Sequence, residues 1–390
     1  MKPNAAMISR FCDITLRNIV KRKWISASIM ASSCLVVLVL VGFLAMAEGF
    51  RNALHNTGSA TVAMVMGNQA QNELSSQLTR EQIDLLASAP GIAQRDNRAL
   101  LSPELSVVVG AKKQSDDSRV NVTLRGMGEN GPAMRDGFRL LEGRRFNPGH
   151  NEIIVGAQLA RDLQGITLGS TLRLGGADWT IVGIFALQGN LFETEFWADI
   201  TSVQSAYGRQ NQFHSVRARL LTPAALVELA VFAAQDVRLD LNVQTEKDYF
   251  AKQSEGMVNL IAYVAWPLAL LLSIGTFAGI YNAMQISVEA RQRELVILRQ
   301  IGFTRRILLF SVLLEAVLCS LAGAVLGGLV AFVLFDGLLS ATIGSGFASL
   351  SYALSVSGTI VMQALMLAGA VAALAVLVPA YRGVSGRLTL

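Results

Sequence analysis

With 390 residues, 52% of them hydrophobic and only 16% charged, the chain is too apolar for an ordinary soluble protein. Its net charge of +5 does not mark a nucleic-acid binder, because the basic residues are grouped where membrane topology explains them. Cys12, Cys34 and Cys319 offer neither a disulfide framework nor metal-ligand spacing.

Residues 1–24 predict an amphipathic helix, with Ile8, Phe11, Leu16 and Ile19 opposite Arg10, Arg17 and Lys21, suited to the interface of an anionic leaflet. A secretory signal peptide is the rival reading, because residues 45–47 read Ala-Met-Ala; the apolar run from Ile25 exceeds the roughly 7–15 residues of a signal's apolar core. Apolar blocks at 25–47, 258–283, 308–335 and 357–379 each reach the roughly 20 residues that a bilayer demands of a helix. They predict an integral membrane α-helical protein with four transmembrane helices and a large mixed α+β extracytoplasmic domain, residues 48–257, between the first and second.

Within that domain, residues 59–66 alternate like a strand, and Thr79-Arg-Glu-Gln82 opens a helix that Pro90-Gly91 stops. Residues 105–109, 119–125 and 152–155 predict further strands, and 171–174 and 179–185 flank the hairpin signal Gly175-Gly-Ala-Asp178. Thr222-Pro223 predicts a helix start, with the hydroxyl as cap and the proline at the first position, running to Gln235. Residues 245–257 predict a helix that enters the second span without a break.

Residues 284–307 form a charged loop between nearly uncharged segments. Good helix formers fill 288–300, Glu289 stands four residues before Arg293, Gly302 is placed to end the helix and Thr304 to cap the next. Lys and Arg gather before the first span, in this loop and in the tail 380–390, whereas 336–356 has neither. Both termini and the charged loop are therefore expected in the cytoplasm, and 336–356 on the periplasmic side with the large domain.

The run Arg291-Gln-Arg-Glu294-Leu-Val-Ile-Leu-Arg299-Gln-Ile-Gly302-Phe, then Ser311-Val-Leu-Leu-Glu315-Ala and Gly323, Gly327 and Gly328, resembles the FtsX-like, MacB-type permeases of ABC transporters. In the large domain, Leu124-Arg-Gly126, Leu141-Glu-Gly-Arg144, Glu152-Ile-Ile-Val-Gly156, Trp179-Thr-Ile-Val-Gly183 and Phe192-Glu-Thr-Glu195 with Trp197-Ala-Asp199 resemble the same permeases, particularly a DevC-like branch. The likeness covers nearly the whole chain and fades at 383–390, after Pro379-Ala380-Tyr-Arg382.

The resemblance implies that the short helix is a coupling helix docking on a separate ABC ATPase subunit through Arg291, Arg293, Glu294, Leu298, Arg299 and Gly302. ATP and Mg would be held by that partner and no cofactor by this chain. A second permease subunit, the same or related, and a periplasmic adaptor protein are further implied partners, in a bacterial inner membrane. Export of an unknown substrate is the expected function; transmission of a signal to a cell-envelope enzyme, without transport, shares fold and topology.

Other motifs carry less. Gly126-Met-Gly128-Glu-Asn-Gly131 fits a dinucleotide pattern, but Pro132 follows and no apolar helix opens, so a turn is expected. No GxxxxGK[ST], HExxH or GxSxG occurs, and His55, His150 and His214 are isolated, so no catalytic or metal-ligating residue is assigned. Glu315 is the one carboxylate inside a predicted span, either functional or paired with a loop arginine. Gly275 with Gly279, Gly323 with Gly327, and Ala364, Ala368 and Ala372 each put small residues on one helix face, for packing within the chain or for a dimer seam. Residues 192–197 form an aromatic and acidic cluster, for core packing or cargo contact.

Overall fold

The computed structural model describes residues 22–114, 117–301, 303–343 and 349–385, so the amphipathic helix expected over 1–24 and Gly302 fall largely or wholly outside it. In chain order, helix α1 (Lys23–His55) leads to strand β1 (Val62–Gly67), helix α2 (Arg80–Leu86), the short hairpin of β2 (Gln94–Arg95) and β3 (Arg98–Ala99), then β4 (Leu101–Lys112) and β5 (Arg119–Met127). Strand β6 (Arg139–Gly143), β7 (Glu152–Gly156), helix α3 (Ala157–Asp162), β8 (Thr171–Leu174), β9 (Ala177–Ala186) and β10 (Glu195–Asp199) follow. Helix α4 (Ile200–Ala206), β11 (Ser215–Arg219), α5 (Ala225–Gln235) and β12 (Leu241–Thr245) complete the large domain. Helix α6 (Glu246–Ala290), α7 (Gln292–Gln300), α8 (Arg305–Phe335), the strands β13 (Leu339–Ile343) and β14 (Ser349–Ala353), and α9 (Gly358–Ser385) follow.

Among the described residues four helices, α1, α6, α8 and α9, are long and apolar enough to cross a membrane. Helix α6 is 45 residues long and continues through Pro267 without interruption. The residues expected as a helix over 245–257 are its first turns, favoured by the acidic Glu246 and Asp248 at its N-terminus.

The chain divides into two compact units. The external unit, Phe50–Gly256 with Leu339–Tyr352, is built on a ten-stranded sheet of order β12-β1-β11-β4-β5-β10-β7-β9-β6, with β8 also on β9. β10 runs parallel to β5 and β7 parallel to β9; the other neighbours in the sheet are antiparallel. Leu105, Leu124, Phe196 and Val216 lie in one apolar core on one face. Because side chains alternate along a strand, Glu104, Arg125, Trp197 and Arg217 take the opposite face, and this face is buried too.

Thr79 caps α2 with Gln82 in a reciprocal pair, as its spacing predicts. At α5 the outcome differs: Ala224 is the capping residue, the Thr222 side chain makes no cap, and the Thr222 carbonyl instead accepts from the Ala225 N–H at 3.0 Å. The expected loop over 336–356 contains the paired strands β13 and β14. Gly126 lies where α4 crosses β5, and a Cβ there would stand 3.0 Å from the Ile200 Cα, so this glycine serves packing.

In the membrane unit, formed among the described residues by the chain up to Gly49, Met257–Leu338 and the chain from Ala353, small residues bring backbones together. A Cβ on Gly323 would stand 2.6 Å from the Met30 Cα, and one on Gly327 would stand 3.0 Å from the Cys34 Cα. Between these crossings Ser33 and Ser320 are 2.8 Å apart through their hydroxyls, and Ser320 Oγ donates to the Ala368 carbonyl at 3.1 Å. Gly323 and Gly327 therefore serve packing within the chain. Ala364, Ala368 and Ala372 are likewise buried in its helical core. Gly279 faces only Ser32 Oγ at 3.6 Å, and nothing stands within 4 Å of a Cβ on Gly275.

Gly323→Val is expected to destabilise the membrane unit by about 3 kcal/mol or more, because its neighbour is main chain that must move. Gly275→Ala is expected to stay within about 0.5 kcal/mol of wild type. Melting curves of both variants in one mild detergent compare them.

Candidate functional site

Two constructions of charge stand out, one in each unit. In the membrane unit, α6 ends at Ala290 and α7 begins at Gln292, so the helix expected over 288–300 is broken at Arg291, whose φ of −108° and ψ of 8° are not helical. The break turns the Arg291 side chain inward, where Nη1 meets Glu315 Oε2 of α8 at 2.7 Å. Glu294 on α7 stands 3.5 Å from Arg291 Nε. Ahead of α1, Arg22 Nη1 donates to the Ser287 carbonyl at 2.7 Å and to its hydroxyl, tying the start of the first span to the end of α6. Glu289, expected to pair with Arg293, accepts instead from Gln285 Nε2 at 3.2 Å, since the break at Arg291 removes the helical spacing between Glu289 and Arg293. Thr304 does sit at the N-terminus of α8, but its side chain makes no capping bond.

Helix α7 is two-faced. Leu295 is buried and Leu298 half-buried against the helical core. Arg293, Glu294 and Arg299 are exposed, together with Ile297 at 54% and the following Ile301 at 71%. Of the residues expected to face a partner, Leu298 thus points inward and Arg291 is engaged with Glu315, while Ile297 and Ile301, absent from that expectation, are outward. On a helical wheel Ile297 falls on the side away from Leu295, whereas Leu298 falls nearer to it.

The external unit holds a buried network. Arg217 of β11, 0% exposed, reaches Glu104 at 2.6 Å, Glu73 at 2.8 Å and Glu246 at 2.8 Å. Arg125 of β5 reaches Glu195 through two nitrogens, at 2.8 and 2.7 Å, and Glu73 at 2.6 Å. Arg135 bonds both Glu104 oxygens at 3.0 Å and lies with its Cζ 4.6 Å from the Phe192 ring centre. Trp197 donates its indole N–H to Glu195 at 2.9 Å, under the Phe185 ring at 4.0 Å. The 192–197 cluster is therefore wholly buried, which removes it as an exposed cargo contact.

Burial alone would raise the Glu73 carboxyl, but Arg125 and Arg217 outweigh it and hold Glu73 well below the usual glutamate value. Burial works to lower Arg217, and Glu104 and Glu73 reverse it, leaving the guanidinium raised. At Arg135 burial wins and the guanidinium is lowered, despite Glu104 and Glu246.

This network escaped sequence reading because its members come from strands whose alternation, as in Ser215-Val-Arg217-Ala-Arg219, has the pattern of a strand with one wet face. The only usable signal was the recurrence of Arg and Glu inside the strand motifs that carried the family resemblance.

Residues 26–237 match the MacB-like periplasmic core domain family, more than half of the chain, and residues 267–386 match the FtsX-like permease C-terminal family. The chain belongs to the FtsX-like permeases with a MacB-like core domain. This permease is 23% identical over 316 residues to the macrolide export ATP-binding/permease protein MacB of Bordetella avium, covering 75% of this chain and 47% of that protein. It is 24% identical over 220 residues to an uncharacterized ABC transporter permease, YvrN, of Bacillus subtilis, covering 50% of this chain and 53% of that one. The chain thus spans about half the length of these relatives. Among solved structures, the periplasmic region of MacB from Actinobacillus actinomycetemcomitans aligns at a TM-score of 0.38 and 13% identity, over 50% of this chain and 92% of that one. The permease is a multi-pass membrane protein by its four apolar helices.

Two outcomes are expected from the network. Arg217→Met should cost about 3–5 kcal/mol of stability, since it strands buried carboxylates. A carboxyl depressed by folding contributes stability above its unfolded value of about 4.3, and that contribution is lost as pH falls through the folded value. Melting temperature measured below about pH 4.5 should therefore fall less steeply in Glu73→Gln than in wild type.

Proposed function

We propose that this chain is the permease subunit of an ABC transporter, moved through α7 by a separate ATPase subunit that holds the ATP and Mg. The observation that carries the reading is the outward face of α7, where Ile297 and Ile301 stand exposed among Arg293, Glu294 and Arg299. An apolar centre ringed by charge is the composition of a protein contact, and water alone would not favour it. The named relatives, one an ATP-binding/permease protein for macrolide export and one an ABC transporter permease, support the same reading.

In this mechanism closure of the ATPase pushes on Ile297 and Ile301. Leu295 and Leu298 pass the push to the helical core, and Arg291 bound to Glu315 keeps α7 in step with α8. Helix α6, continuous from Ala290 back to Glu246, carries the motion to the far side of the membrane, where substrate is exported. Both termini and α7 lie in the cytoplasm, and the external domain in the periplasm of the inner membrane. A second permease subunit and a periplasmic adaptor complete the assembly.

Purification from native membranes in mild detergent, followed by mass spectrometry, tests the proposal. An ATP-binding subunit is expected with wild type and with Leu298→Ala, and is expected to be lost with Ile297→Glu. Its absence from wild type in several detergents overturns the reading, and a cell-envelope hydrolase in place of an adaptor turns it from transport to signalling.

A further inference from the structure

Helix α6 enters the external unit with one face fully engaged. Glu246, Tyr249, Phe250 and Ser254 are all buried, at helical spacings that align them on one side. Glu246 accepts from Arg217 Nε at 2.8 Å and lies 3.5 Å from Arg135 Nη1. The Tyr249 hydroxyl accepts the Glu73 N–H at 3.1 Å, and the Phe250 ring meets Phe192 edge to face at 5.6 Å. Gly58, at φ +87°, passes so close that a Cβ would stand 2.9 Å from the Glu246 carbonyl carbon, and β1 pairs with β12 immediately before the helix, Ala63 opposite Thr245.

The arrangement has a direction. Arg217 and Arg135 each also hold Glu104 of β4, and Arg217 holds Glu73, which Arg125 of β5 holds in turn. One carboxylate at the start of α6 is thereby joined through charge-assisted bonds to β11, β4 and β5 in the middle of the sheet, where strands are held on both sides. Apolar contacts alone would let a helix slide or roll on its neighbours, whereas a dry ion pair has no nearby alternative partner of equal energy.

We infer that Glu246 is a positioning residue, which with Arg217 and Arg135 makes the first turns of α6 and the sheet move as one body. The inference rests on the proposed ATP-driven motion of α6. Its test is a spin-label distance between Glu255→Cys, exposed on α6, and Asp178→Cys, exposed at the start of β9, in the full chain with its copurified ATPase and with Cys12, Cys34 and Cys319 replaced by serine.

In the wild-type background one narrow distance is expected, the same without nucleotide and with ATP trapped. Glu246→Gln is expected to add a second, longer population, present without nucleotide and larger when ATP is trapped, with ATP hydrolysis unchanged. Tyr249→Phe, a milder change, should add a smaller share of the same population. Leu229→Ala, which removes a fully buried core side chain away from the network, should lower the melting temperature without adding it. The same narrow distance in Glu246→Gln overturns the inference, as does a second population in Leu229→Ala, which would mark general loosening. Should no ATPase copurify with wild type, the transport reading fails by itself, and the distance in nucleotide-free Glu246→Gln against wild type still decides the grip.

Discussion

The external unit is arranged around a guanidinium shut away from solvent. Arg217 is fully enclosed, and a charge in such a place is tolerable only when its bonds are met by groups of opposite sign. Glu73 and Glu104, from the turn after β1 and from β4, meet Nη1, and Glu246, from the start of α6, meets Nε. The requirement fixes register: a one-residue slip of β11 would turn Arg217 into the apolar core and Val216 into the ion network. The sheet is thus specified twice, by apolar packing on one face and by charge pairing on the other.

The membrane unit solves a different problem with different means. Lipid gives helices little reason to associate, so α1 and α8 rely on close backbone approach at Gly323 and Gly327, and on the Ser33–Ser320–Ala368 chain of hydrogen bonds. Charge appears where α6, α7 and α8 meet, with Arg291 and Glu315 satisfying each other. The pairing leaves Ile297 of α7 and the Ile301 that follows it facing outward.

The spans, the helix leading into α6 and the strands β1, β4, β5, β7, β8 and β9 were legible because each is a local pattern of apolar spacing bounded by turn residues. β10 was not, because Glu195-Phe-Trp-Ala-Asp199 is a strand buried on both faces, one of them lined by a bound arginine, and so shows no alternation. β6 and β12 lie at the margins of the sheet, where short strands need little apolar pattern. At α7 the sequence located the helix but not its facing, since Leu295, Ile297 and Leu298 are equally apolar and only the break at Arg291 sets which of them turn inward.

The distribution of the network along the chain bears on how the protein is made. Its members run from Glu73 to Glu246, and the aromatic pair of Phe50 and Tyr352, rings 5.4 Å apart, adds a strand segment from beyond α8 to the same unit. In chain order Arg135 and Arg217 precede Glu246, so the last carboxylate of the network is made just ahead of the second span. The external unit is therefore complete only when the later helices have been made, since a chain arrested before α8 lacks β13 and β14.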